Sequence, residues 1–368
     1  MVHGDQRVIK VNRALRSPAT PWPVRPFAHN KKDRSGLSTV RIGVIGAGNM
    51  GADHVRNLHR HVSGAVVTMV ADIDADRAAA VAGEVPGARA TSDPYAVIDD
   101  PEVDAVVVAS HDDTHADLCV AAIRADKPVL CEKPLAPTLG ECVRVAQEEL
   151  RAGRRLISLG FMRRFDPAYL ELKEALSAGV HGAPLLLHCV SRGVSSAPGA
   201  TDESSVTGSA VHEFDTVAWL LNSPITEVGW HAPRATRAVP GLRDPQLMLL
   251  RTADGALTTV EVFLNAGYGY DIRCEVACEH GTLALANPAR LVTDSARARF
   301  AGYPADWRPR FADAYRLELQ AWTDAVAAAS PSPLATAHQG LIASAVADAV
   351  ITSMRSGGRT VAVQVPEV

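Results

Sequence analysis

The chain has 368 residues, of which 47% are hydrophobic and 21% charged, and it carries a net charge of −4, a composition typical of a globular protein with room for two domains. No apolar run approaches the roughly 18 residues that a membrane-spanning helix needs, and the N-terminus lacks the apolar core of a secretory signal. An acidic body argues against nucleic acid as the main partner, so we expect a cytoplasmic enzyme.

Residues 1–39 differ from the rest of the chain in charge. They hold eight lysines and arginines against two aspartates, a net charge of +6, which leaves −10 for the remainder. Four prolines and the lack of a sustained hydrophobic period predict a disordered basic tail. A small basic anchor, a start codon assigned too early and a plain flexible extension are the explanations that stay open.

Residues 40–160 alternate between apolar strands and helices. Strands are predicted at 40–46, 66–72, 88–91, 104–110, 128–132 and 156–161, and helices at 49–61, from about 75, at 114–126 and at 139–152. Apolar strands that alternate with helices are typical of a parallel sheet covered on both faces. We therefore predict an α/β Rossmann domain over this range.

Residues 161–368 differ because their strands come in hairpins. Strands 247–252 and 256–265 flank Asp254-Gly255, and strands 272–278 and 282–286 flank His280-Gly281, which are tight-turn signals. Helices are predicted at 167–177, 210–221, 311–329 and 340–354. We expect an α+β domain with a large, open, mostly antiparallel sheet. The six cysteines form no CxxC pair, so we predict no metal site and treat them as small buried hydrophobes.

The loop after the first strand matches the pattern G-x-G-x-x-G. Its candidate cofactor-binding residues are Gly46, Gly48, Asn49, Met50 and Gly51. Because the loop ends a strand and opens a helix, its backbone N–H groups can hold a pyrophosphate. Asp72, at the end of the next strand, is placed to bind the adenosine ribose. A carboxylate there repels a 2′-phosphate and Ile73 supplies no cation, so NAD is favoured over NADP.

Three further segments offer side chains at the same edge of the sheet, where ligands bind in such folds. Ser110 and His111 end the fourth strand and are expected to line the nicotinamide side. For His115, a contact with the cofactor and a purely local structural role are both open. Glu132 and Lys133 end the fifth strand, and Lys133 is either a solvated loop lysine or a group that touches the reacting centre.

One histidine stands out in the second half of the chain. His212 opens a helix whose apolar face includes Phe214 and Val217. Asp215 lies three residues on, where a carboxylate could orient the imidazole. A structural histidine and a functional one are both compatible with this pattern.

Taken together, these segments resemble the Gfo/Idh/MocA family of NAD(P)-dependent oxidoreductases, and within it the myo-inositol 2-dehydrogenase branch. The matching segments are VRIGVIGAGNMGADH (40–54), VLCEKPLA (129–136), GFMRRFDPAY (160–169), VHEFDTVAWLL (211–221), DIRCEVACEHGTL (271–283) and RFADAYRLELQAW (310–322). The resemblance implies that Lys133 reaches the reacting oxygen, that His212 moves the proton, and that Arg163 helps to hold a polyol.

The chain departs from that resemblance at Gly208, where the inositol dehydrogenases commonly have an aspartate four residues before the histidine. Either Asp215 takes over the orienting role, in a substrate site formed with Arg163, or the substrate differs from myo-inositol. The Ser- and Gly-rich loop at 193–199 also predicts a wide pocket, so an amino or keto cyclitol is plausible.

The resulting hypothesis is an NAD-dependent, homo-oligomeric enzyme, a dimer or tetramer, that oxidises a cyclic polyol of the inositol type to a ketone. In the reverse direction it would reduce a keto-cyclitol. Residues 40–160 would bind NAD, and residues 161–368 would bind the substrate and mediate oligomerisation. Two alternatives stay open: a sugar or aminocyclitol oxidoreductase of a biosynthetic pathway, and a non-catalytic NAD-sensing protein.

Overall fold

The computed structural model describes residues 39–286 and 291–368. The predicted basic tail therefore lies outside the described residues, apart from Thr39. None of the helices in these two ranges is both long enough and apolar enough to cross a membrane.

The first half of the chain forms the predicted alternation of strands and helices. The strands are β1 (Val40–Ile45), β2 (Ala65–Ala71), β3 (Arg89–Thr91), β4 (Ala105–Val108), β5 (Val129–Glu132) and β6 (Ile157–Gly160). The helices are α1 (Asn49–Arg60), α2 (Ala75–Ala82), α3 (Pro94–Asp99), α4 (His115–Arg124) and α5 (Leu139–Ala152). Each predicted strand and helix is present, with ends that differ by a few residues.

These six strands pair in parallel in the order β6-β5-β4-β1-β2-β3. Every residue of β4 and β5 is buried, as expected for central strands of a sheet covered on both faces. The predicted Rossmann-type parallel sheet is thus confirmed. Its strand order changes direction beside β1, which places the C-terminal ends of β1 and β4 around one crevice.

The second half forms an α+β unit. Its elements are α6 (Pro167–Ser177), β7 (Pro184–Arg192), α7 (Asp202–Ser205), α8 (Val211–Leu221), β8 (Ile225–His231), β9 (Gln246–Thr252), β10 (Leu257–Phe263), β11 (Asp271–Cys278), β12 (Gly281–Ala284), β13 (Val292–Ser295), β14 (Ala298–Ala301), α9 (Trp307–Ala327), β15 (Ala335–Thr336), α10 (Ala337–Arg355) and β16 (Val361–Ala362). A π-helical turn, Val206–Ala210, joins α7 to α8.

The second sheet has seven strands in the order β12-β11-β7-β10-β9-β8-β16. All neighbours are antiparallel except β7 and β10, so the predicted mostly antiparallel sheet is confirmed. One face packs on α6, α8 and α10 through residues such as Leu187, Phe214 and Val350. The short strand β15 leaves this unit and pairs with β6, so it adds an antiparallel edge to the first sheet.

Candidate active site

A cleft of about 660 Å³ lies beyond the C-terminal ends of β1, β2 and β4. Its lining includes Gly46, Gly48, Asp72, Ser110 and His111, which were all proposed from the sequence. The motif residues that follow Gly48 begin helix α1, so the helix N-terminus lies beside this cleft. An N-terminus in this position favours a bound anion such as a pyrophosphate.

Two positions of the glycine loop have no room for a side chain. Gly46 has a positive φ of 97°, and a Cβ there would lie 2.5 Å from the main chain of Ala109. A Cβ on Gly51 would lie 1.7 Å from the carbonyl oxygen of Gly46, so the helix can approach the strand only with glycine at this position. A Cβ on Gly48 would meet no described atom within 4 Å. That open side is where a dinucleotide can approach the backbone, so the loop fits NAD.

Asp72 is nearly buried, and both of its carboxylate oxygens already accept hydrogen bonds. Oδ2 accepts from the backbone N–H of Ala47 at 2.7 Å. Oδ1 accepts from the N–H of Asp74 at 2.9 Å and from Nη2 of Arg77 at 2.5 Å. Burial opposes ionisation, but these hydrogen bonds outweigh it and lower the pKa of Asp72. Ile73 supplies no cation, as expected, but Arg77 on the first turn of α2 does, and it was not considered from the sequence.

The residues at the end of β4 divide into exposed and buried groups. Ser110 and His111 line the cofactor cleft, and the hydroxyl of Ser110 lies 2.6 Å from that of Thr114. His115 is 1% exposed. Its Nδ1 lies 2.8 Å from the carbonyl oxygen of Pro134 and its Nε2 3.2 Å from that of Ser110. These contacts favour the structural alternative for His115, in which it fastens two cleft loops together.

A second cleft of about 810 Å³ adjoins the start of α1, since Met50 lines it. Lys133, Arg163 and His212, the residues expected to hold and convert a polyol, also line it and come from three separate segments. Gly208, one turn before His212, lines it as well. Nζ of Lys133 donates to the carbonyl oxygen of Gly208 at 3.1 Å. Burial lowers the pKa of Lys133, although the neighbouring Glu132 carboxylate opposes this shift.

Glu132 is not among the residues that line the second cleft, although Lys133, the next residue, is. Its carboxylate is 2.8 Å from Nε2 of His54 on α1, and its other oxygen is 3.3 Å from the N–H of Lys133. Burial raises the pKa of Glu132, but the His54 hydrogen bond has the opposite effect and the net shift is downward. This geometry ties the end of β5 to the dinucleotide-binding helix.

His212 lies on the first turn of α8 and faces the second cleft. Burial, together with the charges of Lys133 and Arg163, holds the pKa of His212 well below its ordinary value. Its Nδ1 is buried and has no hydrogen-bond partner within the described part of the chain. A neutral imidazole at neutral pH can accept a proton from a substrate hydroxyl.

Asp215 does not orient His212, and that hypothesis was wrong. Both oxygens of Asp215 accept hydrogen bonds from Arg164, from Nε at 2.9 Å and from Nη2 at 2.5 Å. This bidentate pairing uses the geometry in which guanidinium and carboxylate fit best. Asp215 follows His212 at helical spacing, but its side chain pairs with the turn after β6 instead. The pair also excludes Asp215 as a free ligand for a polyol.

Arg163 is 2% exposed, and its Nη1 lies 2.6 Å from a carboxylate oxygen of Glu213. The rings of Tyr169 and Phe311 each lie 5.9 Å from its guanidinium carbon. Arg163 is therefore held rigidly at the wall of the second cleft. Glu213, the residue after His212, was not predicted from the sequence as the partner of Arg163.

Four other residues that line the second cleft were not among the site residues predicted from the sequence. They are Tyr270, Trp307, Arg308 and Tyr315. Three of them come from α9, whose pattern predicted only a helix. Gly208, which stands where the inositol dehydrogenases commonly have an aspartate, also lines the cleft. A Cβ there would meet no described atom within 4 Å.

Comparison with known proteins places both halves in one family. Residues 40–161 match the model of an oxidoreductase family with an NAD-binding Rossmann fold, and residues 169–284 match the GFO/IDH/MocA C-terminal domain. The chain is 55% identical over 326 residues to inositol 2-dehydrogenase 2 of Paenarthrobacter aurescens, covering 87% of this chain and 98% of the relative. It is 49% identical to inositol 2-dehydrogenase 2 of Saccharopolyspora erythraea over 320 residues, 87% and 94% of the two chains.

A solved structure gives the same result for the fold. The crystal structure of myo-inositol dehydrogenase from Lactobacillus casei in complex with NAD(H) and myo-inositol superposes with a TM-score of 0.86 at 34% identity. The match covers 90% of this chain and 98% of that one.

Proposed function

This chain belongs to the GFO/IDH/MocA family of NAD-binding oxidoreductases, and we propose that it oxidises a ring hydroxyl of an inositol-type polyol to a ketone with NAD. The observation that carries the proposal is the adjacency of two clefts at the start of α1. Gly48 lines the cofactor cleft, and Met50, two residues later, lines the cleft that contains Lys133 and His212. The relatives named as inositol 2-dehydrogenases support the same substrate class.

The proton chemistry follows from the state of two side chains. Oxidation of an alcohol removes a hydride from carbon and a proton from oxygen, and NAD supplies the hydride acceptor when bound. His212, kept neutral by its lowered pKa, accepts the hydroxyl proton. The ammonium group of Lys133 stabilises the negative charge that develops on the oxygen. Reduction of a keto-cyclitol uses the same two residues in reverse.

The remaining residues bind and orient. The glycine loop and the N-terminus of α1 hold the pyrophosphate, and Asp72 binds the adenosine ribose. Arg163 holds the polyol from the wall of the second cleft. Because Glu213 fixes its guanidinium, Arg163 offers its remaining N–H groups to hydroxyl oxygens in one orientation.

A second candidate is oxidation of a larger or amino-substituted cyclitol. It is favoured by the open space at Gly208 and by the small side chains of the adjoining loop, which leave a cleft of about 810 Å³.

The open face of the second sheet exposes Leu185 and Leu247. We propose that this face is the contact between copies in a homo-oligomer. The six free cysteines are consistent with a cytoplasmic location.

The test is a substrate panel with purified protein. NADH formation is followed with NAD and myo-inositol, scyllo-inositol, glucose or an aminocyclitol. We expect turnover with an inositol. Turnover only with the aminocyclitol would replace the first candidate by the second, and turnover only with glucose would favour a sugar oxidoreductase. Saturable NAD binding without turnover on any polyol or ketone would support a non-catalytic NAD-binding protein instead.

A further inference from the structure

Loop 193–199 forms one wall of the second cleft, since every one of its residues lines it. The loop begins beside β10, because the N–H of Gly193 donates to the carbonyl oxygen of Phe263 at 2.9 Å. Beyond Gly193, the hydrogen bonds that this loop makes with other segments of the described chain all go to the side chain of Asn265. Ser196 makes these bonds and is half-buried, whereas residues 194, 195 and 197–199 are exposed. The position of the wall therefore depends on Asn265.

The amide group of Asn265 bridges the loop to a buried carboxylate. Its Oδ1 accepts a hydrogen bond from the N–H of Ser196 at 3.0 Å and lies 3.3 Å from the hydroxyl oxygen of the same residue. Its Nδ2 donates to Oδ2 of Asp244 at 2.9 Å. Because a carboxylate accepts and an amide nitrogen donates, the contact with Asp244 determines that the oxygen of the amide faces Ser196.

Asp244 is a rigid anchor for this bridge. It is 2% exposed, its Oδ1 accepts from the N–H of Leu264 at 2.9 Å, and its Oδ2 accepts from the N–H of Asn265 at 2.9 Å. Leu264 and Asn265 directly follow β10, and Asp244 lies two residues before β9, which pairs with β10. A buried polar network whose members are all hydrogen-bonded is rigid. One carboxylate therefore holds both the main chain and the side chain of Asn265.

A wall that is fixed before the substrate arrives affects which substrate binds. Lys133 and His212 line the same cleft but belong to other segments, the end of β5 and the start of α8. A prearranged loop does not have to be ordered on binding, which strengthens the binding of a polyol that fits. A fixed loop also disfavours a bulkier polyol, since it does not move aside. The small side chains of the loop make the cleft wide, and the anchor keeps that width constant.

We propose that Asn265 and Asp244 are positioning residues for substrate specificity, which hold loop 193–199 in place and so set the size of the cyclitol that the second cleft accepts. The proposal rests on the proposed function, since it concerns the polyol that this cleft binds. Neither residue contacts the reacting atoms in this arrangement; both act through the main chain of Ser196.

The first test compares two substrates of different size. Asn265→Ala keeps both main-chain hydrogen bonds to Asp244 and removes only the amide that reaches Ser196. It should raise KM for myo-inositol roughly three- to tenfold, the range for one lost hydrogen bond and a loop that must be ordered on binding. The kcat for myo-inositol and the KM for a mono-O-methyl inositol should each change by less than about twofold, because the chemistry uses other segments and the larger ring gains room.

Two further variants separate the anchoring of the loop from direct contact with the polyol. Ser196→Ala keeps the main-chain hydrogen bond to Asn265, so KM for myo-inositol should change by less than about twofold. Pro198→Gly loosens the loop without altering Asn265 or Asp244, because glycine lacks the fixed φ of proline. It should shift the preference between the two substrates in the same direction as Asn265→Ala.

Hydrogen exchange measured by mass spectrometry tests the anchor without any polyol. In Asn265→Ala, the main-chain amides of loop 193–199 should exchange about threefold faster or more, because the loop opens more often. Gln320→Ala is the matched control. Gln320 is also half-buried, and its Oε1 accepts the N–H of a loop serine, Ser63, at 2.8 Å, away from the residues that line either cleft. This variant should speed exchange only around Ser63 and leave both KM values unchanged.

Three results would overturn the proposal. The first is exchange in loop 193–199 that does not change in Asn265→Ala. The second is an equal rise of KM for both substrates, which would mean that the loop does not distinguish their size. The third is a rise of KM in Ser196→Ala as large as in Asn265→Ala, which would make the Ser196 hydroxyl a direct ligand of the polyol. Failure of the proposed function looks different, because the unaltered chain would oxidise no polyol while the faster exchange in Asn265→Ala would remain.

Discussion

Lys133 donates a hydrogen bond from Nζ to the main-chain carbonyl of Gly208 over 3.1 Å. The contact joins the end of β5 to the π-helical turn before α8. It involves only the backbone of residue 208, and the space that a side chain would occupy there is open to the substrate cleft. Since Asp215 is bound by Arg164, it does not replace an aspartate at position 208. We therefore propose that Lys133 and His212 act as a pair, without a third carboxylate at position 208.

Gly208→Asp is expected to raise kcat/KM for myo-inositol about tenfold or more. The new carboxylate would lie beside Lys133 in the cleft, where it can accept a charge-assisted hydrogen bond from the ammonium or a hydrogen bond from the substrate. Gly208 does not have a positive φ, so a side chain can be added without backbone strain. The measurement is steady-state NADH formation over a range of inositol concentrations.

Gly208→Ala is the control, because it fills part of the same space without a charge. If the alanine and aspartate variants behave alike, or if aspartate lowers kcat/KM, the open position serves a substrate that needs the room. That outcome would favour the larger cyclitol as substrate.

His212→Ala is expected to lower kcat roughly 10²–10⁴-fold, the usual contribution of proton transfer, with little change in the dissociation constant of NADH. The pKa of His212 is lowered, so the imidazole stays neutral as the pH falls through about 6.5, the ordinary value. The acid limb of the pH–rate profile should therefore lie below that pH, and the variant should lack it. A loss of tenfold or less would argue against His212 as the base.

Asp215→Asn is expected to reduce the free energy of unfolding by about 3–5 kcal/mol, since it leaves the charge of Arg164 buried without its partner. The two side chains are 3% and 12% exposed, respectively. Urea denaturation gives the measurement. The acid limb of the pH–rate profile should stay in place, because Asp215 does not contact His212. A displaced limb would restore the orienting role for Asp215.

The double variant Asp215→Leu/Arg164→Met is the control for this pair. Replacing both charges by apolar side chains should recover much of the lost stability. No recovery would mean that the loss comes from packing around α8.

Glu318→Gln is expected to stabilise the protein more at pH 8 than at pH 5. Glu318 is fully buried, its carboxylate oxygens have no hydrogen-bond partner in ranges 39–286 and 291–368, and burial, with the charges of Glu132 and Asp215, raises its pKa well above normal. The folded state thus keeps a proton that the unfolded state releases near about pH 4.3. The stability that this proton contributes therefore falls as the pH rises. Because glutamine does not titrate, the variant does not lose this stability at higher pH.

Melting temperatures of both proteins across that pH range provide the test. Glu148→Gln serves as a control of opposite sign, because the hydrogen bond from Arg124 lowers the pKa of Glu148 and its stabilising contribution is present at neutral pH and lost in acid. A difference between Glu318→Gln and the unaltered chain that does not vary with pH would contradict the assignment of a buried proton.

The parts of the site that sequence could predict are those encoded locally. A strand, a glycine loop and a helix occupy one continuous segment, so the positions of Gly46, Gly51 and Asp72 followed from spacing. Lys133 followed from the end of an apolar strand. The partner of Asp215 could not be predicted in this way, because Arg164 lies 51 positions away along the chain. Helical spacing indicates which residues share a face, but it does not indicate what packs against that face.

Other features were missed for the same physical reason. The pairing of Arg77 with Asp72 depends on the turn between β2 and α2, which brings together two residues five positions apart. The short strand β15 pairs with β6 across more than 170 positions, and its two residues are too few to show a period. Trp307 joins the cleft only because α9 packs between the two halves.

The most direct test of the central claim is transfer of label from substrate to cofactor. Myo-inositol deuterated on its ring carbons is incubated with NAD and the protein, and both products are analysed by mass spectrometry. We expect NADH that has gained one deuterium and a ketone that has lost it from the oxidised carbon. Saturable NAD binding with no labelled NADH, under conditions where the protein is folded, would contradict it.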